Sequence, residues 1–140
     1  MAQNHIIHGI FIGDIDDAMR WKGNILCVLE TPPSDEPKHA VVIPILRSVA
    51  SMKELVGMDA VAMIPNLDLV AHVIQNHVNA GEELLVHCYA GMERSPLAVM
   101  WYLHSKMGLD LDSAYDYVKK RRPQTMNRLE WLNITSNKEE

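Results

Sequence analysis

The chain has 140 residues, 18 of them acidic and 13 basic, and a formal net charge of −5. That is long enough for one sheet-and-helix core, and the overall field is of the wrong sign for nucleic acid or an acidic membrane. With no apolar run near the roughly eighteen residues of a membrane span and no signal-peptide pattern in Met1-Ala2-Gln3-Asn4, a single cytoplasmic domain over residues 1–140 is expected.

Taken in chain order, His5–Ile12 reads as a first strand and Ile25–Leu29 as a second, the latter an apolar run suited to burial on both faces. Cys27 lies inside that second run and reads as core, with a redox pairing to Cys88 as the alternative. These two cysteines rule out a disulfide framework and fit a reducing compartment. The turn-rich stretch Thr31-Pro32-Pro33-Ser34-Asp35-Glu36-Pro37 is expected on the surface, and Ala40–Ile45 forms a third strand.

Asn66 is placed to cap a helix whose apolar positions Leu67, Val70, Ala71, Ile74 and Val78 recur at helical spacing, with Gly81 just past its end. His72 and His77 on this helix are five apart rather than the four that put two ligands on one face, so no metal site is expected there. Leu84–His87 is a central strand, followed by a short loop and the helix Ser95–Met107. After Gly108, Asp110 can cap a last helix with Leu111, Ala114, Tyr115 and Val118 inward, and Pro123 stops it. The basic run Lys119-Lys120-Arg121-Arg122 falls at that helix's C-terminus, where cations complement the dipole. Together the elements predict an α/β fold: a mostly parallel central sheet flanked by helices, with an active loop between the central strand and the helix after it.

The loop carries the chemistry. Residues 87–95 read His-Cys-Tyr-Ala-Gly-Met-Glu-Arg-Ser, so a sulfur, a tight turn and a guanidinium recur at intervals of three: Cys88, Gly91, Arg94. Backbone N–H groups of a short loop entering a helix form a nest for an anion, and the helix dipole adds positive potential. A phosphate fits such a nest, and Arg94 closes it with a planar fork that lysine cannot reproduce. The same field favours the thiolate of Cys88, Ser95 is placed to hydrogen-bond the sulfur, and Gly91 permits the sharp turn. His87, alternating away from Cys88 along the strand, is expected to buttress the loop.

Cys88 and Arg94 with five residues between them, His87 before and Ser95 after, resemble the active-site loop of cysteine-dependent protein phosphatases, most closely the small dual-specificity branch. The likeness extends over residues 8–134, from Ile10-Phe11-Ile12-Gly13 through the helix Ser95–Met107 to Lys119-Lys120-Arg121-Arg122-Pro123. Rhodanese-like sulfur transferases close a cysteine loop with an arginine after four residues, and low-molecular-weight tyrosine phosphatases carry theirs near the N-terminus.

What the resemblance implies is a hydrolase for phosphotyrosine, and for phosphoserine or phosphothreonine, in proteins. Cys88 would attack phosphorus, and the amides of Tyr89, Ala90, Gly91, Met92 and Glu93 with Arg94 would hold the equatorial oxygens. A phosphocysteine would form and be hydrolysed, Ser95 stabilising the departing thiolate. No cofactor and no metal are implied. The partners would be phosphorylated proteins or small aryl phosphates met by a monomer. Asn127 resembles an asparagine that supports the loop in the family, and Trp101 and Trp131 read as core anchors. The family draws its general acid from an aspartate ahead of the central strand. Asp59 is the first candidate, with Glu93 and Asp68 as alternatives. The reading from a different class is a phosphate-recognition module, a phosphatase-like domain that binds without turnover.

Overall fold

The computed structural model describes residues 3–47 and 61–132. Among these, five strands form one sheet: β1 (Asn4–Ile7), β2 (Ile10–Gly13), β3 (Asn24–Cys27), β4 (Val41–Val42) and β5 (Leu84–His87), in the order β1-β2-β5-β3-β4. The expected α/β architecture holds, and β5 is the central strand, parallel to β2 on one side and β3 on the other. All four β5 residues are buried, which is why Leu84-Leu85-Val86 is a continuous apolar run rather than an alternating one.

The early segment differs from its sequence reading. His5–Ile12 is two strands, because the chain turns at His8-Gly9 with His8 in the left-handed region (φ 53°), and β1 folds back antiparallel on β2. A short helix α1 (Ile15–Arg20) then follows, capped reciprocally by the Asp14 carboxylate on the Asp17 amide and the Asp17 carboxylate on the Asp14 amide. Its signal was present as two acids three apart, a variant of the capping box. The third expected strand shrinks to Val41–Val42, since Pro44 lacks the N–H needed to continue a ladder.

Three longer helices complete the layers: α2 (Ile64–Asn79), α3 (Arg94–Met107) and α4 (Leu111–Arg121). Helix α2 begins two residues before the position expected for its cap. Met63 is the cap residue, Pro65 takes the first turn, and the Asn66 side chain donates instead to the Pro44 carbonyl (2.6 Å). Asp110 caps α4 as expected, accepting from the Ser113 amide (2.8 Å). Helix α3 is buried along its first ten residues, Arg94 to Leu103, and packs between α2 and α4 with Trp101 and Trp131 in the core. Burial on this scale fixes the N-terminus of α3 against the end of β5, and the loop between them inherits that rigidity. No helix among the described residues is long and apolar enough to cross a membrane.

Candidate active site

The loop from Cys88 to Glu93 leaves the carboxyl end of the central strand and runs into α3, whose N-terminus carries no side-chain cap. A pocket opens at this junction. That pocket has a volume of about 140 Å³, and Cys88, Glu93, Arg94 and Met126 are among its lining residues. Tyr89, at its lip, is 64% exposed.

An amide and a hydroxyl meet the Cys88 sulfur. The Gly91 amide points at Sγ from 3.3 Å and the Ser95 hydroxyl lies 3.2 Å away, both in buried surroundings. Contacts of this kind gain strength when the acceptor is charged. Gly91 has φ 70°, and a Cβ there would lie 2.5 Å from an Arg122 nitrogen and 2.7 Å from the Gly13 carbonyl oxygen. Gly91→Ala is accordingly expected to lower stability by about 3 kcal/mol, combining left-handed strain with displacement of a buried cation. A fall in melting temperature of roughly 10 °C should follow. Thermal unfolding followed by circular dichroism reads this directly, and an unchanged midpoint would contradict the packing described.

Arg94 is buried, and its guanidinium is held by a residue that the motif does not contain. Nε and Nη2 donate to the two carboxylate oxygens of Glu30 at 2.9 and 3.1 Å. Glu30 thus takes one edge of the fork and leaves Nη1 with the remaining Nη2 hydrogen to receive two oxygens of an anion. The loop is braced from below by Arg122, also buried, which donates to the Gly91 carbonyl (2.6 Å), the Ile12 carbonyl (3.2 Å) and the Asn4 side chain (2.7 Å). Burial lowers the Arg122 pKa from its ordinary value while Asp17, Cys88 and Asp14 pull it back, and a guanidinium stays charged throughout. Read from the sequence as a dipole complement, the basic run is divided: Arg121 stacks on the Tyr117 ring, Lys119 donates to the Thr125 carbonyl, and Arg122 turns inward beneath the loop.

His87 points away from Cys88, as strand alternation requires. Its Nδ1 lies 3.0 Å from the Cys88 carbonyl and its Nε2 2.9 and 3.1 Å from the Glu36 carboxylate. Asn127 does not reach the loop; its side chain accepts from the Leu129 amide (3.0 Å), and the loop is instead tied by the Met126 amide to the Met92 carbonyl (2.8 Å).

The candidate acids separate clearly. Two Arg128 nitrogens converge on one Glu93 oxygen at 2.8 and 2.7 Å, so Glu93 neither points to solvent alone nor stands free to pass a proton. Asp68 accepts the Trp101 indole N–H (2.8 Å) and does not line the pocket. Asp59 lies outside the described residues.

The other cysteine is chemically quiet. Cys27 is fully buried, and desolvation pushes its thiol up to about 12. Iodoacetamide at neutral pH should therefore label the native protein at Cys88, with inorganic phosphate protecting it, and leave Cys27 free. Peptide mass mapping checks this, and modification of Cys27 first would overturn it.

These features define an α/β protein with a cysteine at the carboxyl end of its central parallel strand and, at the start of the next helix, an arginine anchored by Glu30. The family model of the dual specificity phosphatase catalytic domain matches residues 34–138, and the chain belongs to that family. Human dual specificity protein phosphatase 8 is 33% identical over 70 residues, covering 50% of this chain and 11% of its own. The matched stretches are 27% or less of the curated relatives' length. Among solved structures, a variant of human DUSP28 superposes with a TM-score of 0.74 at 18% identity, covering 98% of this chain and 93% of that one. The human tyrosine phosphatase-like serine/threonine/tyrosine-interacting protein superposes with a TM-score of 0.72 at 20% identity, covering 99% and 95%. At these identities the superpositions speak to the fold.

Proposed function

We propose that the chain hydrolyses phosphomonoesters on proteins, phosphotyrosine and also phosphoserine or phosphothreonine, through a phosphocysteine on Cys88. The observation that carries this reading is the convergence of the Gly91 amide and the Ser95 hydroxyl on a sulfur that shares its pocket with an arginine already oriented by Glu30. Cys88 attacks phosphorus in line, while the loop amides and the free edge of Arg94 take the equatorial oxygens as charge spreads over them. The ester oxygen departs with the proton of the general acid, water then attacks phosphorus of the phosphocysteine and returns a proton to that acid, and inorganic phosphate leaves while the Ser95 hydroxyl donates to the released thiolate. Every charge in this scheme is met by a group of the chain itself.

Substrate class follows from the walls. Tyr89, Ala90, Met92 and Glu93 bring no cation to the loop, and Tyr89, Met92 and Met126 offer ring and thioether surface to the carrier of the phosphate. An aryl or peptide phosphate suits this better than a polyanion. We assign the general acid to Asp59, the candidate left after Glu93 and Asp68 are found engaged by Arg128 and Trp101.

The test is hydrolysis of p-nitrophenyl phosphate and of a phosphotyrosine peptide from about pH 5 to 8 without added metal, comparing wild type with Asp59→Asn. Because p-nitrophenolate leaves almost unaided, the acid is read on the peptide: a fall of about 10²-fold and loss of the decline toward high pH assign Asp59. An unchanged peptide profile would remove it from the mechanism.

One observation favours the second reading, a recognition module. The carboxylates of Glu93 and Glu30 both sit at the site in ion pairs, an arrangement that holds an anion-binding surface together without requiring turnover. It predicts vanadate binding with no hydrolysis of either substrate in the wild type.

A further inference from the structure

On the far side of β5 from the nucleophile, three side chains converge that the phosphatase reading does not use. Cys27 and His87 are the last residues of the neighbouring strands β3 and β5, paired in register, and both are fully buried. Glu36 reaches them from the turn between β3 and β4, with its side chain 8% exposed. The ligating atoms of all three lie within 4.8 Å of one another.

Hydrogen-bond bookkeeping shows why this cluster matters. The Cys88 carbonyl can only accept, so the Nδ1 that faces it from 3.0 Å carries the ring proton. Nε2 then faces two carboxylate oxygens of Glu36 at 2.9 and 3.1 Å in a buried place. That arrangement is met either by an Nε2–H hydrogen bond to the carboxylate or by a metal ion held between the two groups. The third group is the Cys27 sulfur, a ligand for a soft metal once its own proton is given up.

We propose that Cys27, Glu36 and His87 form a binding site for a thiophilic divalent cation, Zn²⁺ above all. A sulfur, imidazole and carboxylate set selects zinc over magnesium or calcium, which prefer all-oxygen ligands. Zinc bonds of about 2.0–2.3 Å require ligand atoms roughly 3.3–3.7 Å apart, so side-chain adjustments within the present cluster suffice. The charges also close: a thiolate and a carboxylate neutralise the ion, which is the condition for burying it. On binding, the Zn–S bond forms and the thiol proton of Cys27 passes to solvent, and the ion's own charge offsets the desolvation that otherwise keeps that proton on. The Nδ1–H bond to a backbone carbonyl is the usual way a ligating histidine is oriented. Here that carbonyl belongs to Cys88, so an ion at this site clamps the loop bearing Glu36 to the strand end that carries the nucleophile.

The experiment titrates Zn²⁺ and Co²⁺ into the full chain carrying Cys88→Ser, which removes the nucleophile as a competing ligand. One equivalent of Zn²⁺ should bind in competition with a chromogenic chelator, the melting temperature should rise, and Co²⁺ should give a near-ultraviolet thiolate charge-transfer band. Adding Cys27→Ala should abolish that band and weaken Zn²⁺ by roughly 100-fold or more. Glu36→Gln, a near-isosteric change that keeps a hydrogen-bonding partner for His87, should weaken Zn²⁺ and keep the band. Absence of one-equivalent binding in Cys88→Ser, or binding indifferent to both Cys27→Ala and Glu36→Gln, would overturn the proposal and leave a proton as the cation between His87 and Glu36.

Discussion

Replacing Cys88 by serine should reduce turnover of p-nitrophenyl phosphate by on the order of 10⁴-fold or more while leaving the fold and anion binding in place. The geometry makes the comparison unusually clean. A hydroxyl fits where the sulfur sits, and the Gly91 amide and Ser95 hydroxyl that now contact Sγ can contact an oxygen instead. What cannot be reproduced is the anion. A serine nucleophile needs a base to take its proton. The ring nearest in sequence, His87, is turned to the opposite side, with one nitrogen on the Cys88 carbonyl and the other on Glu36. Kinetics on the variant, together with a vanadate or phosphate titration, measure both halves. Residual activity within tenfold of wild type would exclude a thiolate mechanism, whereas equal anion binding with no turnover in either protein would favour the recognition module.

Arg94→Lys should cost about 10²–10³-fold in kcat/KM although the charge is retained, comparable to removal of a preorganised oxyanion donor. Lysine offers a single point of positive charge, whereas the guanidinium satisfies Glu30 with one edge and keeps the other for the phosphate. With lysine the carboxylate and the substrate compete for the same ammonium. The structure adds a second, smaller effect: Glu30→Ala should lower kcat/KM by roughly tenfold, because it frees the guanidinium to rotate away from the position in which its open edge faces the pocket. Steady-state kinetics with phosphate as a competitive inhibitor separates the two, since a positioning role for Glu30 moves phosphate affinity and kcat together. If Arg94→Lys retains wild-type kcat/KM, the forked recognition of the oxyanion is wrong.

Much of the fold was legible because it is written in short-range patterns. Leu84–His87 is a strand residue for residue, since a run of apolar side chains ahead of a glycine-bearing loop has few other uses. Asp110 caps its helix, and α2 buries Leu67, Val70, Ala71 and Ile74, as a 3.6-residue period requires. The hairpin at His8-Gly9 was not legible, because the apolar residues on either side of it continue the alternation that one longer strand would show. Helix α1 escaped because six residues are too few to display a period.

The candidate site divides in the same way. Cys88, Gly91, Arg94 and Ser95 fall within eight residues, and a strand running through a tight turn into a helix brings them together whatever the rest of the chain does, so the sequence by itself determined that a sulfur, a turn, a guanidinium and a hydroxyl would meet at the candidate site. Tertiary structure alone decided what holds them. Glu30 meets Arg94 across 64 positions, Glu36 meets His87 across 51, Arg128 meets Glu93 across 35 and Arg122 meets Gly91 across 31. No local period encodes such pairs. They depend on strand order, on β3 and β2 flanking β5, and on α4 ending beneath the loop, and these follow from burying one continuous core rather than from any neighbouring residues.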